Sequence, residues 1–481
     1  MTRLKPPARA ALFLAAAMLG GCSLGPKYVT PLPAVPQSWP VGDPALRTSE
    51  ASLPSLAYRD VFRDPHLQNL IAQGLANNQD IRIAVANIAA ARGLYRVQRA
   101  ALLPSINASG SALIREGGIG GFGGNNANGG GVNANGGSIT QYSVSIGASA
   151  FEIDLFGRIR SQSNAALNSY FATEAAARAV RLTLVADIAD AYLTLATDRT
   201  LLGIALDTVR SAERSVTLTR ARLAGGVAPR TDFRQAETVL ATAQSDAANL
   251  TTLVAQDRNA LDLLVGAPVA SGDLPASIEA VESAIAPVPA GLESSILLRR
   301  PDVIEAEFRL RSANAQIGAA RAAFFPRISL TSLAGFASTA LGSLFSGGAF
   351  NYSVAPGVTL PLFDGGANRG NLAVARAQFE VATATYQRTI QAAFRDVVDA
   401  LARRATITDQ AGAQIRLEAA AQDTVRLTDA RYRGGVASFL ESLDAQRSLY
   451  GARRSLASTR LVRARNLVDL YRAVGGDPTL S

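Results

Sequence analysis

The chain has 481 residues and a formal charge of +9, and 48% of it is hydrophobic while aromatics make up only 6%. With a single cysteine and a single histidine it cannot build a Cys/His metal centre or an internal disulfide. Its basic residues are scattered among Asp and Glu without the stripe of a nucleic-acid surface, so no nucleic acid is expected as a partner.

Arg3, Lys5 and Arg9 precede the apolar run Ala10–Leu19, and Gly20-Gly21-Cys22 follows. This is a secretory signal layout over residues 1–21, with an apolar core shorter than the roughly 20 residues of a membrane-spanning helix. Its removal would leave a charge of 9 − 3 = +6. Leu19-Gly20-Gly21-Cys22 resembles a bacterial lipobox, which makes Cys22 the lipidated mature N-terminus. That covalent lipid is the one non-protein group expected, and no cofactor or metal is. Ser23, where Asp would signal retention in the inner membrane, implies the outer membrane. Over 22–60, Pro26, Pro31, Pro33, Pro36, Pro40, Pro44 and Pro54 forbid regular helix and predict an extended strap.

Asp64-Pro65 reads as an N-cap followed by proline at the first helical position. The apolar spacing from Leu70 through Ile81 to Leu103 predicts one helix that Pro104 stops. His66 falls in its first turn and reads as a surface or packing residue. Next, the period drops to two. Ile106, Ala108, Gly110 and Ala112 alternate with Asn107, Ser109 and Ser111, and a similar run follows the Gly/Asn-rich tract at 117–137. These are two strands, about 104–115 and 139–155, joined by an extracellular loop at 116–138. A proline-free stretch then predicts a helix over about 158–224, near 100 Å long, ended by Gly225-Gly226 with its tip at 225–230.

The scheme then recurs. Arg222-Leu-Ala-Gly-Gly-Val-Ala and Arg431-Tyr-Arg-Gly-Gly-Val-Ala lie 431 − 222 = 209 residues apart, and Leu103-Pro104 answers Phe325-Pro326. Repeat 1 is assigned to 61–269, a linker to 270–291 and repeat 2 to 292–478. The second copy has strands at about 326–337 and 350–363, a long helix at about 367–433 and a tip at 434–438. The fold class is therefore a mixed α/β membrane protein, a tandem-duplicated helix–strand–strand–long helix–helix unit.

Alternation over about ten residues is the length of a tilted membrane strand. Four strands cannot close in lipid, where open edges leave backbone groups unpaired, so the chain must assemble with copies of itself.

Several longer motifs share one resemblance. They are the lipobox with the following Gly-Pro-Lys-Tyr-Val-Thr-Pro, Phe151–Arg158 (FEIDLFGR), Arg299–Asp302 (RRPD), Leu360–Gly366 (LPLFDGG) and Arg431–Gln446. Together they resemble the TolC-type outer-membrane factors, in particular the OprM/NodT-like lipoprotein branch. The resemblance implies a homotrimer with a 12-stranded transmembrane β-barrel, continued by a long periplasmic α-helical barrel. It also implies a gated, non-enzymatic exit channel of a tripartite efflux system. The partners would be a periplasmic adaptor (membrane fusion) protein, an inner-membrane pump of the RND type and outer-membrane lipid. The alternatives are a type I protein-secretion duct and a non-conducting lipoprotein that spans the periplasm.

Glu441 and Asp444, three apart on one helical face, match the acidic constriction of such ducts, and rings of carboxylates bind cations. The plainer reading is that both complement the helix dipole. Asp232 and Tyr432 match a polar latch between the two hairpins. The tips, with Arg222, Gly225, Gly226, Arg431, Gly434 and Gly435, match the surface on which the adaptor docks.

Overall fold

The computed structural model describes residues 24–31, 57–115, 139–286 and 294–475. The signal segment, Cys22 and the expected loop at 116–138 lie outside them. The elements are α1 (Pro65–Asn77), α2 (Gln79–Ala100), β1 (Ile106–Arg115), β2 (Ile139–Ile153), α3 (Arg158–Ala224) and α4 (Arg230–Val265). They continue as α5 (Ile278–Glu282), α6 (Pro301–Ala322), β3 (Arg327–Ser338), β4 (Phe350–Thr359), α7 (Ala367–Arg433) and α8 (Phe439–Val474). The succession helix, two strands, long helix, returning helix thus occurs twice. Both long helices, α3 and α7, have 67 residues. No helix among the described residues is long and apolar enough to cross a membrane.

Three expectations need correction. The helix expected through Ile81 to Leu103 is broken at Asn78. The Asn78 carboxamide oxygen accepts from the Asp80 N–H (2.8 Å) and its amide donates to the Leu264 carbonyl (2.9 Å), so one side chain caps α2 and ties it to the end of α4. The fourth strand stops at Thr359, short of 363. Pro361 brings no N–H to a ladder, and Asp364 accepts from the Gly366 and Asn368 N–H groups (2.9 and 3.0 Å), which starts α7. The segment assigned as linker is not a bare connector. Ile278, Val281 and Ile285, on and beside α5, are buried, and Ile285 forms a bridge to Phe62.

Two compact units result. One holds residues 1–30, 90–170 and 308–383 and contains a four-stranded antiparallel sheet in the order β1-β2-β3-β4. Its register sorts side chains by face. Ala108, Ile146, Ala334 and Tyr352 form one cross-strand row, and Gly110, Val144, Phe336 and Phe350 the next. The opposite face carries Asn107, Ser109, Ser111, Ser143, Ser145, Asn351 and Ser353. There the pairs Ser109–Ser145 and Ser111–Ser143 are hydrogen-bonded across the strands at 3.0 and 2.8 Å.

Among the described residues neither face has a core against it. On the apolar side Tyr352 is 75% and Val354 63% exposed. Gly147 and Gly335 lie on the polar face, where a Cβ would meet neighbouring backbone, at 2.8 Å from Leu333 Cα and 2.6 Å from Ser145 Cα. Adjacent backbones therefore approach closely on the polar side, which only glycine permits. Such crowding is what a sheet curling toward its polar face produces.

The second unit holds residues 31–89, 171–307 and 384–481. Its core joins Leu67, Leu70 and Ile71 of α1, Ile188, Tyr192 and Leu193 of α3, Leu261 of α4 and Val468 and Tyr471 of α8. Phe62 meets Tyr471 edge-on at 5.4 Å. Asp64 caps α1 by accepting from the His66 N–H (2.9 Å) and also accepts from the buried Tyr192 hydroxyl (3.0 Å). The His66 ring is exposed and contacts Asp273 at 3.1 Å. Within RRPD, Arg300 grips Asp302 with two hydrogen bonds (3.0 and 2.7 Å) and donates to the Ala473 carbonyl at the end of α8 (3.0 Å).

Candidate functional site

The two glycine turns have the same construction. At the first, the Gly226 N–H donates to the Leu223 carbonyl and the Val227 N–H to that of Arg222 (3.0 and 2.9 Å). At the second, Gly435 donates to Tyr432 and Val436 to Arg431 (3.1 and 3.0 Å). These are Schellman closures, which require a left-handed residue. It is the second glycine of each pair, Gly226 at φ 71° and Gly435 at φ 74°, whereas Gly225 and Gly434 are not left-handed. Val227 and Val436 follow, both largely exposed, so each tip ends in a bare apolar side chain flanked by Arg222 or Arg431. The motif itself had carried this signal.

The returning helices start differently. At α8, Ser438 is the N-cap and accepts from the Glu441 N–H (3.4 Å), while its hydroxyl donates to the Glu441 carboxylate (3.4 Å). That is the N-cap half of a capping box, readable in the spacing Ser438-x-x-Glu441, with the Glu441 carboxylate accepting from the Ser438 hydroxyl and not from its backbone N–H. Glu441 also lies 3.8 Å from the Arg431 guanidinium. Asp444 is exposed one turn further on. At α4, Pro229 occupies the N-cap and offers no side-chain bond, and Asp232 supplies the first-turn charge.

The polar latch between Asp232 and Tyr432 is not formed within the chain. Tyr432 is buried and its hydroxyl has no hydrogen-bond partner. Packing holds the ring instead, in a cluster with Val216, Ala236, Phe439 and Leu443. Phe439 lies 5.4 Å away, and the Arg222 guanidinium sits 4.8 Å over the ring face. A buried aromatic gains more from this apolar contact and cation–π stacking than from one bond at a solvated tip. The hairpins are thus joined near their tips by an aromatic plug, and Arg222, expected only as a docking residue, is part of it.

Farther along the bundle lies a half-buried acidic group that the sequence reading missed. Asp190 and Asp198 of α3 stand two turns apart, and Asp257 of α4 meets Asp198 carboxyl to carboxyl. Burial pushes Asp190 and Asp257 up to about 6, each against the pull of Arg465, and the Asp198 charge raises Asp257 further. Arg465 lies 3.8 Å from Asp190 and donates to the Thr194 hydroxyl at 2.6 Å. One guanidinium therefore serves three carboxyls.

Between about pH 4 and 6 the native state holds protons that the unfolded chain has released, so stability falls as pH rises through that window. Asp257→Asn keeps a donor toward Asp198 and removes the charge. We expect it to stabilise the protein at pH 7.5, on the order of 1 kcal/mol after discounting for partial exposure, and to leave stability unchanged at pH 4. Thermal unfolding of the purified protein at both pH values checks this.

Among the described residues no group of three or more His, Cys, Asp or Glu could hold a metal ion.

The family model described as "Outer membrane efflux protein" matches this chain twice, over residues 70–267 and 292–476. The chain is 42% identical over 474 residues to the toluene efflux pump outer membrane protein TtgC of Pseudomonas putida, covering 97% of this chain and 94% of that one. It is equally similar, with the same coverage, to the antibiotic efflux pump outer membrane protein ArpC of Pseudomonas putida. Among solved structures, the open state of the MtrE outer membrane channel of Neisseria gonorrhoeae matches with a TM-score of 0.80 and 36% identity, over 95% of this chain and 98% of that one. The chain belongs to the outer membrane efflux protein family and is an outer-membrane exit channel for efflux.

Proposed function

We propose that three copies close their sheets edge to edge into a 12-stranded barrel, and that α3, α4, α7 and α8 of each copy line a periplasmic helical conduit. The observation that carries this reading is the sheet: two open edges, β1 and β4, and two uncovered faces of opposite character. In lipid, unpaired edge groups are intolerable, and a sheet that curls toward its polar side closes around water. Cys22 would carry the lipid that anchors the assembly. Cargo would arrive from an inner-membrane pump of the RND type through a periplasmic adaptor docked on the two tips, with Val227 and Val436 as apolar contacts beside Gly225, Gly226, Gly434 and Gly435. Small toxic compounds and antibiotics are the fitting cargo, since relatives are named for toluene and antibiotic efflux. Glu441 and Asp444, ringed about the threefold axis, would form the gate, with the Tyr432 plug holding each chain's hairpins together.

Reconstitution into planar bilayers tests the reading. Small, cation-preferring steps are expected, and an inert bilayer under all conditions would leave a non-conducting structural lipoprotein. The anchor is tested separately. Cys22→Ala should abolish palmitate incorporation, and persistent labelling would refute acylation at that residue.

A further inference from the structure

One feature of the sheet-bearing unit is used by neither the gate nor the barrel. Residues 24–28 lie along one face of α6, antiparallel to it. The Arg321 guanidinium donates to the Leu24 carbonyl (3.3 Å) and the Asn314 amide donates to the Pro26 carbonyl (3.0 Å). The Arg311 guanidinium stacks over the Tyr28 ring at 5.2 Å. Arg311, Asn314, Gly318 and Arg321 recur at helical spacing. Four extended residues span about 13 Å, and the ten helical steps from Arg321 to Arg311 span about 15 Å. The two tracks therefore keep pace.

At the middle of the track the backbones touch. A Cβ on Gly318 would stand 2.9 Å from both the Gly25 Cα and the Ser161 hydroxyl of α3. Glycine at 318 is needed because the segment lies where a side chain would be. Main-chain carbonyls are read at two places and an aromatic ring at a third, with a glycine-on-glycine contact between them.

We infer that this face of α6 is a clamp for the segment directly behind Cys22, holding the acylated N-terminus against the sheet-bearing unit. The inference rests on the lipoprotein reading for the lipid itself but not for the clamp. Cys22 is two residues from Leu24, so their Cα atoms are at most about 7 Å apart. Arg321, which grips Leu24, is followed by β3 at Arg327. The acyl chains are thus delivered beside the start of a membrane strand, in place of a free leash formed by the whole proline-rich segment.

Trypsin cleavage after Lys27, which is exposed but flanked by clamped residues, reports the clamp. Folded protein purified in detergent is digested, and the new N-terminus at Tyr28 is quantified by sequencing. Native chain should be cut slowly. Gly318→Leu should be cut at least about tenfold faster, because proteolysis follows local opening. Asn314→Ala with Arg321→Ala, which adds no bulk, should be accelerated in the same direction. Equal rates in the native chain and both variants would overturn the clamp. A chain exported on an ordinary cleavable signal, unlipidated by palmitate labelling, should keep the slow rate. If it does, the clamp stands even where acylation fails, and if its rate rises to that of Gly318→Leu, the clamp is refuted.

Discussion

Val354→Arg is expected to stop the protein from assembling in the outer membrane, while Ser353→Arg leaves assembly intact. The two positions are adjacent on β4, so their side chains stand on opposite faces. Val354 pairs with Ser332 on the face that carries Tyr352 and Phe350, whereas Ser353 pairs with Leu333 on the face of Asn351. A charge at mid-depth on a lipid-facing strand costs about 2–4 kcal/mol, and a threefold assembly bears it three times. On the polar face an arginine meets water and neighbouring Ser and Asn side chains. The amount of heat-stable oligomer in the outer-membrane fraction measures both. Loss with Ser353→Arg and normal yield with Val354→Arg would mean the faces are reversed, and the curl inferred from Gly147 and Gly335 would then have the wrong sense.

Long elements were legible because their ends carry local signals. Pro104, Pro326, Gly225-Gly226 and Gly434-Gly435 punctuate the chain, and alternating Ser and apolar residues reveal the strands without any tertiary information. The break at Asn78 had only an ambiguous local signal, an asparagine able to cap the next helix, and the bond that holds it in place runs to the Leu264 carbonyl, 186 residues away. The same holds for the acidic group. Locally, Asp190, Thr194 and Asp198 form a polar stripe of α3 like any solvated face, and only the packing of α4 and α8 makes that stripe half-buried. At the tips, the chemistry of Asp232 and Tyr432 suggested a bond. The decisive partners, Phe439 and Arg222, were visible in the sequence, but their convergence on one ring depends on how the two hairpins pack.

Neutralising Asp444 should open the channel more than neutralising Glu441. Both acids lie in the first turns of α8, yet they are differently committed. Glu441 exchanges hydrogen bonds with Ser438 and faces Arg431, so part of its charge is balanced within its own chain. Asp444 is exposed, and its carboxylate would be available to counter-cations shared around the proposed threefold axis. Cations bridging such a ring would draw neighbouring chains together and keep the iris narrow. Asp444→Asn should therefore raise single-channel conductance several-fold and weaken cation preference. Glu441→Gln, which keeps the Ser438 cap and an acceptor for its hydroxyl, should give a smaller rise, and the double substitution the largest. The effect should shrink between about 0.1 and 1 M salt as the screening length falls from about 10 to 3 Å. Unchanged conductance and ion preference in the double variant would place these acids outside the conduction path. A large response to Glu441→Gln alone would mean that the Ser438 and Arg431 contacts open when the chains assemble.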